Sequence, residues 1–370
     1  MAGNGKTFDT AAKRWEGVGP YYAMFPTQFA DAVIKEHTSV GDTVLDPFAG
    51  RGTAIFSAAT SGRRGFGVEI SPVGWIYAKA KLDPAPLEEV EERLMEIGEQ
   101  GSKYAEQARS LPTFFRKCFS PSVRRFLIAA RTGLDWRKCA CDRTLMAILL
   151  VYLHGKEGGA LSNRMRQTKA MSPHYAIKWW AEHGTTPPDI DPVDFMRQRI
   201  RWRYAKGVIK ANESLVLLGN SIALLPHLER RLREGQVEKA KLLLTSPPYF
   251  GVTNYHYDQW IRLWLLGFET HAYVARGPYQ GRFTHPDRYR SLLKEVFRRA
   301  AKAVADDAVI YVRTSNEPFT KLATLNAIQE AFPLKRLVEQ CRPFVTPTQT
   351  YLFGDKTPKL GEVDLILGPI

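Results

Sequence analysis

The stretch from Thr43 to Leu82 constrains the chain more than any other. Thr43-Val44-Leu45-Asp46 is a short apolar strand, and Pro47-Phe48-Ala49-Gly50-Arg51-Gly52 is a glycine-bearing loop. Thr53 to Ser61 is a small-residue helix, ended by Gly62. A strand that empties through such a loop into a helix lets backbone approach a ligand and turns a helix N-terminus toward it. Gly65 to Ile70 reads as a second strand and Val73 to Leu82 as a second helix. Upstream, Phe29, Ala30, Val33 and Ile34 give Phe25 to His37 a helical spacing. This alternation predicts a parallel sheet with right-handed crossovers, hence an α/β fold.

Pro84 and Pro86 interrupt the pattern. Leu87 to Arg109 reads as one charged amphipathic helix, and Ser122–Arg131, Arg143–Leu153 and Asp194–Lys206 as further helices, with a loop at Thr185–Asp189. The βαβ rhythm returns with strands at Ser214–Asn220 and Lys241–Thr245, a long helix at Tyr289–Ala305 and a strand at Ala308–Val312. Thr350–Gly354 and Glu362–Leu367 resemble closing antiparallel strands. The expected division is 1–82 and 211–370 as two parts of one catalytic domain, with 83–210 a mainly helical insert.

The 370 residues suffice for such a domain with its own core. No apolar run approaches the roughly 18 residues of a membrane helix, so no membrane association is expected. Met1 to Thr10 is polar, so secretion is not expected either. Four cysteines (Cys118, Cys139, Cys141 and Cys341) make no disulfide framework. Cys139-Ala140-Cys141 lacks CxxC spacing, and no metal is expected. The net charge of +14 is uneven: residues 1–100 carry 10 basic and 14 acidic residues, 101–210 carry 21 and 8, and 211–370 carry 21 and 16. A basic middle third with interleaved aromatics implies a polyanionic partner, nucleic acid before any other.

The loop's details narrow its ligand. Its glycines do not follow GxGxxG, and the carboxylate of Asp46 opposes a pyrophosphate but suits a cationic amino-acid moiety. Glu69, ending the next strand, is placed to accept hydrogen bonds from both ribose hydroxyls. Asp46 to Thr53 matches DPFxGxGT, and Thr245-Ser246-Pro247-Pro248-Tyr249 matches TSPPY. On these two motifs the chain resembles the DNA amino-methyltransferases, over about 20–82 and 212–370. The resemblance implies a Rossmann-like class I S-adenosylmethionine-dependent methyltransferase sheet. It implies cofactor contacts from Asp46, Pro47, Phe48, Ala49, Gly50, Gly52, Thr53, Glu69, Ile70 and Thr245. Tyr22 and Phe25 would come from a segment closing over the methionine end. Asn220 stands where the family often has Asp, able to hydrogen-bond the adenine amine.

By the same resemblance Ser246, Pro247, Pro248 and Tyr249 form the catalytic loop. An exocyclic amine is a poor nucleophile, so it needs acceptors for its hydrogens and a clamp in line with the methyl sulfonium. A carbonyl of the Pro-Pro turn and Ser246 Oγ supply the acceptors, and Tyr249 stacks on a base flipped out of the duplex. Ser-Pro-Pro-Tyr usually marks cytosine N4; adenine N6 is the alternative, and an RNA amine a more distant one. The implied setting is a cytoplasmic, nucleoid-associated, prokaryotic or phage-type enzyme acting on double-stranded DNA, with or without a cognate restriction endonuclease. The DNA contacts are expected from Arg124, Arg125, Arg164, Arg166, Lys169, Lys178, Arg197, Arg199, Arg201 and Arg203 of the insert, and from Asn254 and Tyr255 after the catalytic turn.

Overall fold

The computed structural model describes residues 8–20, 26–209, 211, 213–252, 254–270, 283–342 and 361–369. Seven strands form one sheet: β1 (Thr43–Asp46), β2 (Arg64–Glu69), β3 (Leu215–Leu218), β4 (Ala240–Thr245), β5 (Val304–Ser315), β6 (Arg336–Arg342) and β7 (Glu362–Gly368). Their order is β3-β2-β1-β4-β5-β7-β6. The first five are parallel, and β7 runs antiparallel to both β5 and β6. This is a Rossmann-like α/β sheet, as the sequence implied.

The central strands are mostly apolar because both faces are covered. Along β4, Leu242 and Leu244 pack with Ala30, Val33 and Ile34 of the helix Thr27–His37 and with Ala54 and Ala58 of the helix Thr53–Thr60. Leu243 points the other way, into a cluster with Leu45, Ile310, Leu293 and Phe297. All three leucines are fully buried, each a gain of about 1.5–3 kcal/mol over exposure.

Residues 87–204 contribute no strand. The single helix expected over Leu87–Arg109 is broken into Leu87–Gln100, a 3-10 turn Gly101–Tyr104, and Ala105–Ser110. Gly101 marks the break, opening the 3-10 turn where the first helix ends. The other expected helices appear as Pro121–Gly133, Ala140–Tyr152 and Pro192–Tyr204. These helices share one apolar cluster with Trp75 and Tyr77 of the helix Pro72–Leu82 and with Trp260 and Trp264. The insert therefore packs on the sheet's own helices rather than standing apart. Thr350–Gly354 lies outside the described residues. The strand beside β7 is Arg336–Arg342, which the sequence reading missed. Among the described residues no helix is long and apolar enough to cross a membrane.

Candidate active site

In an open parallel sheet, ligands bind outside the carboxyl ends of the strands where the strand order reverses. That reversal falls between β1 and β4. The Asp46 loop leaves β1 there and the Ser-Pro-Pro-Tyr turn leaves β4, so two motifs separated by 199 residues meet. Their contact is direct: Thr245 Oγ1 donates to Asp46 Oδ1 at 2.6 Å, with both side chains buried.

The loop's shape comes from its glycines. Gly52 sits at φ +74°, a left-handed conformation, and a Cβ there would stand 2.6 Å from Ala78 Cβ. Only glycine meets both conditions. Gly52 thereby brings the helix Thr53–Thr60 against the helix Pro72–Leu82 and opens its N-terminus to the loop. Thr53 Oγ1 is buried there without a hydrogen-bond partner, a donor suited to a carboxylate at a helix N-terminus. Ala49 is pinned by its N–H to the Val68 carbonyl at 3.0 Å. The Pro47 carbonyl accepts from Ser221 Oγ at 2.5 Å. Phe48 packs edge-on against Phe297 with ring centroids 6.4 Å apart.

Two carboxylates face this loop. Asp46 Oδ1 also accepts the Phe48 N–H at 3.0 Å. Burial pushes the Asp46 carboxyl up to about 7, against the lowering pull of the Thr245 and Phe48 bonds. Glu69 accepts the Gly50 N–H on Oε2 at 2.6 Å and the Ser71 N–H on Oε1 at 2.7 Å. Burial again dominates and lifts Glu69 to about 8, with Asp46 adding repulsion. Burial favours the neutral form of both carboxyls, so a cationic group placed beside either one would favour its ionised form and pull its pKa back down. Ile70 is half-buried beyond Glu69. Asn220 caps the helix Ser221–Arg233, its Oδ1 accepting the Ile222 N–H at 2.9 Å. Tyr22 and Phe25 lie outside the described residues.

On the Ser-Pro-Pro-Tyr turn Ser246 Oγ lies 3.4 Å from the Tyr249 hydroxyl. Tyr249 donates to Glu362 Oε1 at 2.8 Å. The Pro248 carbonyl accepts from Tyr289 at 2.9 Å, which leaves the Pro247 carbonyl as the turn's candidate acceptor. Downstream, Asn254 Oδ1 accepts the Tyr257 N–H at 3.1 Å and so starts the helix Tyr255–Asp258. The Tyr255 side chain lies outside the described residues.

The basic insert is less open than its composition implied. Arg203 is 2% exposed, bonded to the Arg14 carbonyl and, at 3.4 Å, to the Tyr152 hydroxyl. That buried position removes Arg203 from the surface contacts expected of it. Arg201 is bidentate to Glu91 at 2.5 and 3.2 Å, and Arg197 pairs with Asp194 at 2.8 Å. Arg199 lies over the Phe195 ring at 4.7 Å and donates to the Gly158 carbonyl at 3.2 Å. Arg124 donates to the carbonyls of Arg116 and Phe119 at 3.1 and 3.3 Å. Arg125 is half-buried, and Arg166 is exposed. Arg164 pairs with Glu157, and Lys178 with Glu182 at 3.7 Å. Exposed pairs of this kind are worth about 0–1 kcal/mol, so a phosphate can displace the carboxylate.

A set of contacts that the sequence reading did not expect joins the insert to the chain after the Ser-Pro-Pro-Tyr turn, and it engages Lys169, expected among the DNA contacts. Lys169 Nζ is 2.9 Å from the buried Asp258. The Ala170 N–H donates to the Asp258 carbonyl at 2.9 Å, and Trp260 Nε1 to the Met171 carbonyl at 3.1 Å. Arg262, fully buried, donates to the carbonyls of Leu150, at 2.9 Å, and Gln167. The segment 155–171 is thereby stitched to the chain that follows Tyr249. The spacing of the aromatics in Trp260-Ile261-Arg262-Leu263-Trp264 was the available signal.

With this geometry in hand, residues 4–74 match a family model described as DNA methylase. The chain resembles the DNA amino-methyltransferases. The matched stretch carries β1, the Asp46 loop and β2. The type II methyltransferase M.MjaII of Methanocaldococcus jannaschii is 31% identical over 85 residues, which are 23% of this chain and 16% of that protein. The chain thus matches about a sixth of that relative's length. Among solved structures, the rRNA methyltransferase aviRa of Streptomyces viridochromogenes is similar at a TM-score of 0.35 with 14% identity, over 95% of this chain and 87% of that one. TrmN of Thermus thermophilus gives 0.35 with 9% identity, over 97% and 53%. At that level neither likeness distinguishes a substrate.

Proposed function

We propose that the protein transfers a methyl group from S-adenosylmethionine to an exocyclic amine of double-stranded DNA, at cytosine N4. The observation that carries this reading is the contact of the two motifs at the β1–β4 reversal, through Thr245 and Asp46. The residues of the cofactor loop fit the methyl donor. Asp46 suits its ammonium group, the Thr53 hydroxyl and helix N-terminus its carboxylate, and Glu69 its ribose diol. When bound, the donor supplies an electrophilic methyl on sulfonium.

The chain's own residues do the rest by placement. Ser246 Oγ and the Pro247 carbonyl accept the two amine hydrogens, which turns the nitrogen lone pair toward the methyl carbon. Tyr249 holds the ring of a base flipped from the duplex. No covalent bond between protein and base is needed, and the amine gives up its surplus proton to water once it carries the methyl group. Serine rather than aspartate or asparagine at position 246 favours cytosine over adenine. The segment 155–171, which carries Arg164, Arg166 and Lys169 and is bonded to Asp258, Trp260 and Arg262 downstream of Tyr249, is the part of the insert assigned to backbone phosphates near the target. The enzyme acts as a site-specific modification enzyme, with or without a partner endonuclease.

The test is incorporation of labelled methyl from S-adenosylmethionine into unmodified duplex DNA and, in parallel, into tRNA. Transfer to duplex DNA alone is expected. Transfer to tRNA alone refutes the assignment of DNA.

A further inference from the structure

Resting on the reading above, we propose that Glu362 is a positioning residue that fixes the direction of hydrogen bonding in the catalytic turn. Glu362 opens β7, opposite Ser315 of β5 and more than a hundred residues from the turn. Its Oε1 accepts the Tyr249 hydroxyl at 2.8 Å, and Tyr249 lies 3.4 Å from Ser246 Oγ. Its Oε2 faces Arg313 Nε at 3.8 Å. Arg313 is itself buried and held by several partners. It is bidentate to the fully buried Asp364 at 2.7 and 2.9 Å and lies 3.4 Å above the Phe29 ring. The turn is thus tied to a rigid ion pair between the antiparallel strands.

An ionised carboxylate only accepts hydrogen bonds. Glu362 therefore obliges Tyr249 to donate to it, and the Tyr249 oxygen is then the acceptor for the Ser246 hydroxyl. With its proton directed inward, Ser246 Oγ presents lone pairs to the target amine. The same chain fixes the tilt of the Tyr249 ring. A free serine hydroxyl would instead divide its time between donating and accepting.

The test is a double-mutant cycle of Glu362→Met and Tyr249→Phe, with Glu362→Gln as the conservative variant. Each single change is expected to lower kcat on duplex DNA about tenfold or more, the loss from one charge-assisted hydrogen bond. KM for the methyl donor should stay within about twofold. The double variant should lose no more than the worse single, because both act through one chain. Glu362→Gln, whose amide oxygen still accepts from Tyr249, should recover most of the rate. Multiplying losses, or a loss confined to the donor's KM, overturns the proposal. The same cycle in urea unfolding reads the contact without catalysis. Coupling there with additive kcat losses makes Glu362 merely structural and overturns the positioning role. If the unaltered protein transfers no methyl while the unfolding cycle shows coupling, it is the functional reading that fails, not the contact.

Discussion

Replacing Thr245 by valine removes one hydroxyl and almost no volume at a fully buried position. The hydroxyl donates to Asp46, whose carboxyl burial has already pushed up to about 7. A hydrogen bond to a charged group contributes about 1.5–3 kcal/mol, and one pKa unit corresponds to about 1.4 kcal/mol. Thr245→Val should therefore raise Asp46 by about one unit. At pH 7 the ionised fraction falls from about a half to about a tenth; at pH 9 both proteins are about nine-tenths ionised or more. If ionised Asp46 holds the ammonium of the methyl donor, affinity drops about fivefold at pH 7 and hardly at all at pH 9. Calorimetric titration with S-adenosylhomocysteine, which carries the same ammonium and cannot react, measures both. Thr245→Ser, which keeps the hydroxyl, should bind as the parent does. Equal weakening at both pH values, or none at pH 7, refutes the role given to Asp46.

Other outcomes follow from the same geometry. Ser246→Ala and Tyr249→Ala should each lower turnover about 10²-fold or more while donor binding survives, measured by single-turnover transfer and calorimetry. Glu69, at about 8 in the folded protein and near 4.5 otherwise, keeps a proton that the unfolded chain gives up between those values. Without ligand, stability should fall as pH rises from about 4.5 to about 8. Glu69→Gln should flatten that slope in thermal unfolding, and a parent slope of opposite sign would contradict the burial argument. Arg203→Met should lower stability by about 2 kcal/mol or more in urea without changing the salt dependence of DNA binding. Arg166→Ala should do the reverse, lowering the salt slope by about one unit.

Most of the frame was legible because parallel strands buried on both faces are written as apolar runs. Lys241 to Thr245 and Thr43 to Asp46 show this plainly. β6 was not legible. Arg336 to Arg342 is an edge strand mixing charge and apolar residues, and its identity depends on pairing with β7 rather than on its own pattern. The basic insert misled in a different way. Charge counts do not distinguish an arginine that faces solvent from one that, like Arg203, ties two helices to the N-terminal segment. Glu362 was equally invisible, since only the sheet brings it beside Tyr249. What the sequence could supply was the chemistry of each motif; their adjacency came from the strand order.

The most direct test of the account is the identity of the modified nucleoside. Unmodified duplex DNA is incubated with the protein and methyl-deuterated S-adenosylmethionine, digested to nucleosides and analysed by mass. Labelled N4-methyldeoxycytidine is expected. Labelled N6-methyldeoxyadenosine as the sole product would contradict the part played by Ser246, and no labelled nucleoside at all would contradict the site itself.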